Sequence, residues 1–259
     1  MADDSQIFDG YRRNARFWIR IIRERRDKYQ VELTDPALLD MIGSCAGRRV
    51  LDAGCGEGYL TRELLRRGAA QIHAVDTCRE LVDAAERHPE AGGGRATYHH
   101  ADVADLPVPD ASVDLVVANR LPHGVAAPER RFREFSRVLT DSGRLVILGM
   151  HPCFYASRTD RARGVGPSAD SYFRVRTVEQ HFTVDGLVSP APSWQQFHSL
   201  EAYITMITDA GFTVSALREP HPTERQRSSD PWWNENFTRP MFLLLECLRR
   251  RSGTDTSHH

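Results

Sequence analysis

The chain reads VLDAGCGEGYL over residues 50–60, where a short apolar run breaks into a glycine-rich turn that opens a helix. Glycines at such a turn let the backbone pass close beneath a ligand and adopt positive φ where a side chain would clash. A dinucleotide fingerprint, G-x-G-x-x-G, holds a pyrophosphate at the helix N-terminus. Here the spacing is G-x-G-x-G, and Asp52 lies two positions before Gly54. A carboxylate at that point disfavours a pyrophosphate, so the stretch predicts a ligand with an ammonium group and no phosphate.

On both sides of this turn the chain alternates strand-like runs with helical stretches, which is typical of βαβ units and a parallel sheet. Helices are expected over residues 59–67, 79–87, 128–139 and 200–210. The fold class predicted is therefore α/β. The expected strands are RVLDAG, QIHAVD, TYHHAD, VDLVVAN, RLVILGM, FTVSALRE and MFLLLECLR.

Two segments lie outside this alternation. Over residues 6–30, apolar residues recur every three or four positions, which predicts a helix with one apolar face. A second helix is expected to start at Thr34-Asp35-Pro36, with a capping side chain before the proline, and to end at Gly43. Residues 151–197 are rich in Pro, Gly, Ser and Arg, and a loop of that length is usually functional, for example a lid.

The chain is accordingly divided into five parts. The prediction assigns N-terminal helices that form a lid, a ligand-binding core, an inserted cap over the substrate, a C-terminal segment that completes the sheet, and a disordered tail. In the same order, these parts are residues 1–45, 46–150, 151–197, 198–250 and 251–259.

Composition excludes several classes of protein. The chain has 259 residues, 41% hydrophobic and 27% charged, with a formal net charge of -1, as in a globular protein with a sizeable core. Near-neutral charge gives no electrostatic case for nucleic acid or an anionic membrane as a partner. No apolar run approaches the roughly 18 to 20 residues that cross a bilayer. Five scattered cysteines without a C-x-x-C pair predict a cytoplasmic protein with reduced thiols and no metal site.

The basic residues are almost all arginine. Lys28 is the one lysine among 34 basic residues, a bias that a GC-rich genome explains.

Polar residues end the strands that follow the glycine turn: Asp76, Asp102 and Asn119. In an open parallel sheet, ligands bind beyond the carboxyl ends of the strands near the point where strand order reverses. We therefore expect these three side chains and Asp52 to converge on one site.

With these motifs in order, the sequence resembles the class I S-adenosylmethionine (SAM)-dependent methyltransferases, from about residue 48 to 150 and more weakly to 249. The resemblance implies a Rossmann-like sheet of about seven strands, mostly parallel, with the last strand antiparallel. It also implies SAM as cofactor and S-adenosylhomocysteine as product. Asp76, with Thr77 beside it, would hold the ribose hydroxyls. Asp102 and the Val103 amide would bind the adenine. The first motif is matched by Asp52, Gly54, Gly56 and Gly58, and Asn119 would lie under the methionine moiety.

Other features favour a small-molecule acceptor. Residues 119–123 read NRLPH and depart from the N/D-P-P-Y motif of enzymes that methylate DNA amino groups or protein glutamine. The HP after the fifth strand and the N-A-x-x-W element at Asn14 resemble bacterial small-molecule methyltransferases, including enzymes that tailor antibiotics. In that branch an N-terminal helix closes over the cofactor, which implies that Tyr11 and Trp18 stack on the cofactor or close over it. The alternative is that the Tyr11–Trp18 stripe packs against the sheet or a partner subunit, so a homo-oligomer stays open.

Methyl transfer is an in-line displacement, so catalysis depends mainly on positioning, and a base is needed only when the acceptor keeps its proton. His123, His151 and His198 are the candidate bases, because histidine titrates near working pH. The alternatives are a turn-shaping role for His151-Pro152 and a helix-capping or lid-packing role for His198. An aromatic acceptor pocket is expected from Tyr172, Phe173, Trp194, Phe197, Trp232 and Trp233, although the Trp pair would also suit an oligomer contact.

Three rival functions remain at this stage. A nicotinamide-dependent oxidoreductase is disfavoured by Asp52 and the glycine spacing. A SAM-binding regulatory or scaffold protein without turnover would keep the same motifs. A protein or RNA methyltransferase is the third, although no separate recognition module is evident.

Overall fold

A computed structural model describes residues 4–121, 128–153 and 172–250. Predictions that lie wholly or partly outside these ranges include His123 as a base, residues 154–171 of the expected cap, and the tail over residues 251–259.

The central sheet has seven strands in the order β3-β2-β1-β4-β5-β11-β10. Strands β1 to β5 are parallel to one another, and β11 is antiparallel to both β5 and β10. The predicted sheet, with its antiparallel last strand, is confirmed. In chain order the strands are β1 (Arg49–Ala53), β2 (Gln71–Asp76), β3 (Ala96–His100), β4 (Val113–Asn119), β5 (Leu139–Met150), β6 (Arg176–Gln180), β7 (Thr183–Val184), β8 (Leu187–Val188), β9 (Ser193–Phe197), β10 (Phe212–Arg218) and β11 (Phe242–Arg249).

Helices cover both faces of the sheet, and the four that the sequence predicted between strands are present. No helix in the described ranges is long and apolar enough to cross a bilayer. The helices are α1 (Asp4–Arg23), α2 (Asp35–Ile42), α3 (Tyr59–Arg66), α4 (Arg79–Glu86), α5 (Pro128–Val138), α6 (Leu200–Asp209), α7 (Glu224–Ser229) and α8 (Trp232–Asn236), and a π-helical turn, Gln30–Thr34, precedes α2.

Alternate residues of the central strands point into two separate cores, as the pleat requires. Val50 packs with α2, α3 and α8 on one face. Its neighbour Leu51 packs with α5 and α6 on the other. Burial on both faces explains why these strands read as continuous apolar runs rather than as alternating ones.

The N-terminal segment differs from its prediction. Helix α1 ends at Arg23 rather than near residue 30, and Arg25 adopts a φ of 54° in the turn that follows. The predicted cap at Thr34 is wrong: Thr34 is itself helical, with φ -81° and ψ -38°, and its side chain makes no capping bond. The π-helical turn already continues into α2, so no cap is needed, and the hydroxyl instead accepts a hydrogen bond from Arg120 at 3.0 Å.

The described part of the inserted segment contains regular structure as well as loop. Strand β6 pairs antiparallel with β9, and β7 pairs antiparallel with β8. Asp185 and Gly186 connect β7 to β8 with φ values of 48° and 73°. Two residues of positive φ suit a tight hairpin, and Asp-Gly is the sequence signal for one.

Candidate active site

A cavity of about 230 Å³ lies at the carboxyl ends of the central strands, beneath α1. Sheet topology brings the predicted cofactor residues together there, although they come from distant parts of the chain. Nine of the ten line the cavity: Tyr11, Trp18, Gly54, Gly56, Asp76, Thr77, Asp102, Val103 and Asn119.

The glycine turn forms the cavity floor beside β2. The Gly54 N–H donates to the Val75 carbonyl at 2.8 Å, which extends the β1–β2 pairing past the end of the strand. Gly56 follows with a φ of 54°, and a Cβ placed there would meet no atom within 4 Å. The backbone therefore presents an open surface to the cavity, which is the arrangement a closely approaching ligand requires.

Asp76 ties this turn to the start of α4. Its carboxylate accepts one hydrogen bond from the Gly56 N–H at 2.9 Å and another from the Cys78 N–H at 2.8 Å. Burial raises the pKa of Asp76 above its usual range. A carboxylate has about four lone-pair positions, so Asp76 keeps acceptor capacity for a ligand hydroxyl.

Asp52 is the one predicted cofactor residue that is absent from the cavity wall. Its side chain is 1% exposed and accepts a hydrogen bond from the Thr61 hydroxyl at 2.6 Å. Burial raises its pKa to about 7. The structure therefore places this carboxylate beneath the turn, against α3, where it does not face a ligand ammonium directly as the sequence suggested.

At the far end of the cavity, Asn119 leads a chain of polar contacts. Its amide nitrogen donates to the Tyr59 hydroxyl, which in turn donates to Asp35 at 3.2 Å. Burial raises the pKa of Asp35 to about 6. The Asn119 Oδ1 atom is buried and has no hydrogen-bond partner in the described part of the chain.

Sequence reasoning missed an ion pair in the same wall, Arg120 with Asp27. Arg120 directly follows β4 and adopts a φ of 53°, while its N–H donates to the Leu148 carbonyl at 2.7 Å. This conformation directs the guanidinium to Asp27 at 2.5 Å. The position of Arg120 in NRLPH was a local signal, but a partner 93 residues away was not visible in the sequence.

Helix α1 roofs the cavity with an apolar face. Tyr11, Trp18 and Ile21 line it, and the Trp18 ring packs edge-on against Phe182 at 5.0 Å between centroids. Phe182 precedes β7, so the roof combines α1 with the described part of the insertion.

Asn14 holds these two parts together. It is fully buried, and its amide nitrogen donates to the Ala191 carbonyl at 2.9 Å and to the Ser193 hydroxyl at 3.2 Å. Its amide oxygen accepts the Ala191 N–H at 2.9 Å. Gly10 permits this close approach, because a Cβ there would lie 2.9 Å from the Pro192 carbonyl oxygen.

Glu57 connects the roof to the floor. This residue of the glycine turn is fully buried and lines the cavity. Its carboxylate accepts from Arg23 of α1 at 2.8 Å and from Arg62 of α3 at 2.6 Å. The glycine turn, α1 and α3 are thus fixed by one buried charge with two cationic partners.

Behind Asp27, Lys28 ties the N-terminal segment to α8. Its ammonium pairs with Asp230 and lies 4.9 and 5.4 Å from the ring centroids of Trp232 and Trp233. Trp233 is 1% exposed. The Trp pair therefore packs within the chain, and neither ring lines the cavity.

The rest of the predicted aromatic pocket is also elsewhere. Phe173 is 65% exposed and Phe197 is buried in a small cluster with Val178. The aromatic side chains that do line the cavity are Phe8, Tyr11, Trp18, Tyr59 and Phe182. This pocket depends on α1, whose apolar stripe was identified in the sequence, and on Phe182, which was not.

None of the histidines in the described ranges lines the cavity. His151 is 4% exposed, and its Nδ1 accepts the Cys153 N–H at 3.1 Å while its Nε2 lies 3.1 Å from the Glu219 carboxylate. His198 is partly buried, and its Nε2 has no hydrogen-bond partner among described residues. Burial lowers the pKa of both imidazoles.

Comparison with known proteins agrees with this geometry. Residues 51–147 match a family described as a methyltransferase domain. A Mycobacterium tuberculosis protein named as a probable S-adenosylmethionine-dependent methyltransferase is 40% identical over 103 residues, which are 40% of this chain and 36% of that protein. The 27-O-demethylrifamycin SV methyltransferase of Amycolatopsis mediterranei is 29% identical over 206 residues, or 72% of this chain and 75% of the relative.

Among solved structures, an S-adenosylmethionine-dependent methyltransferase from Mesorhizobium loti superimposes with a TM-score of 0.64 and 25% identity. The superposition covers 83% of this chain and 96% of that one. Sequence motif, strand order and these relatives agree: residues 51–147 are similar to a methyltransferase domain, and the fold matches that of Rossmann-like SAM-dependent methyltransferases.

Proposed function

We propose that this protein binds SAM in the cavity beneath α1 and transfers its methyl group to an oxygen, nitrogen or carbon atom of a small organic acceptor. The observation that carries the proposal is the convergence of Gly56, Asp76, Asp102 and Asn119 on one cavity. The strands that lead to them have the order β3-β2-β1-β4 in the sheet, so Asp102, Asp76, Gly56 and Asn119 follow one another along its edge, as the adenine, ribose and amino-acid parts of SAM would.

The cavity fits the cofactor in chemistry as well as in position. Asp76 offers acceptor capacity to a ribose diol, the backbone above Gly56 is open, and Asn119 Oδ1 lacks a partner. SAM supplies a methyl group activated by its sulfonium. The chain's own contribution is to orient the two reactants within roughly 3 to 3.5 Å of each other and to exclude water.

The acceptor proposed is apolar and is an intermediate of natural-product biosynthesis. Ile7, Phe8, Trp18, Met150 and Phe182 line the cavity, which suits an apolar molecule with few polar groups. The rifamycin-modifying relative, which matches 72% of this chain, supports this choice of acceptor. A cytoplasmic location belongs to the same proposal.

If the acceptor keeps its proton at neutral pH, we propose His123 as the base. His151 and His198 lie away from the cavity wall, whereas Leu121, two residues before His123, lines it. His123 is the predicted base that lies four residues after the end of β4 in sequence.

Calorimetry with S-adenosylhomocysteine tests binding, and release of S-adenosylhomocysteine from SAM with a panel of phenols, amines and sugar amines tests turnover. We expect micromolar-range binding and product release with at least one acceptor class. Absence of heat with either SAM or S-adenosylhomocysteine would overturn the proposal. Binding without turnover on small molecules, but with labelling of cell extract, would redirect it to a protein or RNA acceptor.

A further inference from the structure

Arg120 and Asp27 present a cation and an anion side by side in the cavity wall, at the end occupied by Asn119. Their side chains are 29% and 11% exposed, so the pair is partly open rather than sealed in the core. A zwitterion that docks with its charges reversed matches such a pair, because each ligand charge meets its opposite at short range.

The backbone around this pair is unusual on both sides. Arg120 has a φ of 53°, in the left-handed region that residues with a Cβ rarely adopt. Asp27 is followed by the π-helical turn, and its Oδ1 accepts the Gln30 N–H at 3.1 Å. Gln30 lines the cavity as well. Non-glycine residues with positive φ and π-turns both concentrate at functional sites.

The guanidinium is also held in a fixed orientation. Its two terminal nitrogens donate to Asp27 and to the Thr34 hydroxyl, and its Cζ atom lies 5.4 Å from the Phe242 ring centroid. Nε is buried and has no hydrogen-bond partner among described residues, so one donor of the guanidinium is unused. A pre-oriented arginine loses little side-chain entropy when it binds an anion.

The position of Arg120 relative to Asp76 in the sheet indicates which part of the ligand it contacts. Strand β1 separates β2, which carries Asp76, from β4, which leads to Arg120. Two strand spacings amount to about 10 Å. A ligand anchored by its ribose at Asp76 reaches the Arg120 side of the cavity with the short chain that joins the ribose to an α-amino acid. We propose that Arg120 binds the α-carboxylate and Asp27 the α-ammonium of the cofactor's amino-acid end.

This inference rests on SAM as the ligand, and its test is a binding experiment with three probes. SAM carries both charged groups of the amino-acid end, decarboxylated SAM lacks only the carboxylate, and 5′-methylthioadenosine lacks both. For the unmodified protein, removal of the carboxylate should weaken binding about 10- to 100-fold, the effect of one charge-assisted hydrogen bond. Equal affinity for SAM and decarboxylated SAM would overturn the inference without need of a variant.

Two variants assign the groups. Arg120→Gln should weaken SAM binding about 10- to 100-fold and leave decarboxylated SAM and methylthioadenosine unchanged. Asp27→Asn should weaken SAM and decarboxylated SAM alike and leave methylthioadenosine unchanged. Arg218→Gln is the matched control, since Arg218 forms an exposed ion pair with Asp40 outside the cavity wall.

The other possible results of this experiment distinguish the inference from its alternatives. Equal loss of all three probes in Arg120→Gln would show a structural role and overturn the inference. Unchanged SAM affinity with a raised acceptor KM would assign Arg120 to the acceptor and overturn it as well. If neither SAM nor methylthioadenosine binds the unmodified protein, the proposed function fails; if methylthioadenosine binds as tightly as SAM, only this inference fails.

Discussion

Replacing Asn14 with alanine should release α1 from the inserted segment while leaving the sheet intact. The amide makes three hydrogen bonds, two to Ala191 and one to Ser193, and it is fully buried. Alanine cannot replace any of them. It also leaves the N–H of Ala191, a residue that is 1% exposed, without this partner, whereas the Ala191 carbonyl still accepts from the Ser189 hydroxyl at 3.0 Å.

The size of the effect follows from these contacts. Each intramolecular hydrogen bond contributes about 0.5 to 1.5 kcal/mol net, and each buried group left unsatisfied costs about 1 to 3 kcal/mol. These two figures describe the same contacts, so they are not added. We expect Asn14→Ala to lower the free energy of unfolding by about 2 to 4 kcal/mol. If roof and sheet unfold together, the melting temperature should fall by roughly 5 to 10 °C.

Hydrogen exchange distinguishes loosening of the roof from general destabilisation. Amides of α1 and of residues 189–193 should lose protection in Asn14→Ala, while those of β1, β4 and β5 keep it. S-adenosylhomocysteine should also bind more weakly, because α1 lines the cavity. Arg16→Ala is the control, as Arg16 is an exposed residue of the same helix. Melting and exchange that match this control would refute the assignment of Asn14 as the link.

Three further changes test the cavity floor. Asp76→Ala should weaken S-adenosylhomocysteine binding about 100-fold or more, through lost charge-assisted hydrogen bonds; unchanged affinity in calorimetry would remove Asp76 from the ribose role. Asp52 has a pKa raised to about 7, so its contribution to stability is present at low pH and lost as pH rises through about 7. The free energy of unfolding measured in urea should therefore fall less between pH 6 and pH 8 in Asp52→Asn than in the unmodified protein. Glu57→Gln weakens the buried ion pair with Arg62 and the partly exposed pair with Arg23, and it should cost about 3 to 5 kcal/mol of stability, whereas the exposed change Glu90→Gln should cost well under 1 kcal/mol.

Local patterns predicted the sheet and the glycine turn well, because the residues that decide them are neighbours in sequence. The strand before Gly54, the turn and helix α3 are encoded within residues 49–66. Asp76 and Asn119 were identified for the same reason: each ends an apolar run whose direction in the sheet is fixed.

The walls contributed by other segments were less predictable. Asn14 and Ala191 are 177 residues apart, and nothing local to either residue specifies the other. Arg120 and Asp27 likewise meet only after the sheet has formed. The sequence predicted correctly that Asp52 lies at the end of a strand. Its side chain, however, points to Thr61, an orientation that depends on the packing of α3 and not on the position in the strand. By contrast, the Asp185-Gly186 hairpin has a local sequence signal, although composition predicts a loop for the whole of residues 151–197.

The Lys28 amine can serve as a chemical probe of its surroundings, because its rate of acylation can be measured. As the one lysine of the chain, it carries the only side-chain primary amine, and any amine-directed reagent has just this target besides the N-terminus. Its ion pair with Asp230 and the two indole rings beside it shield the amine and couple it to tryptophan fluorescence. Because the adjacent residue, Asp27, lines the cavity, we expect the acylation rate of Lys28 to respond to a change at this end of the cavity, without any engineered label.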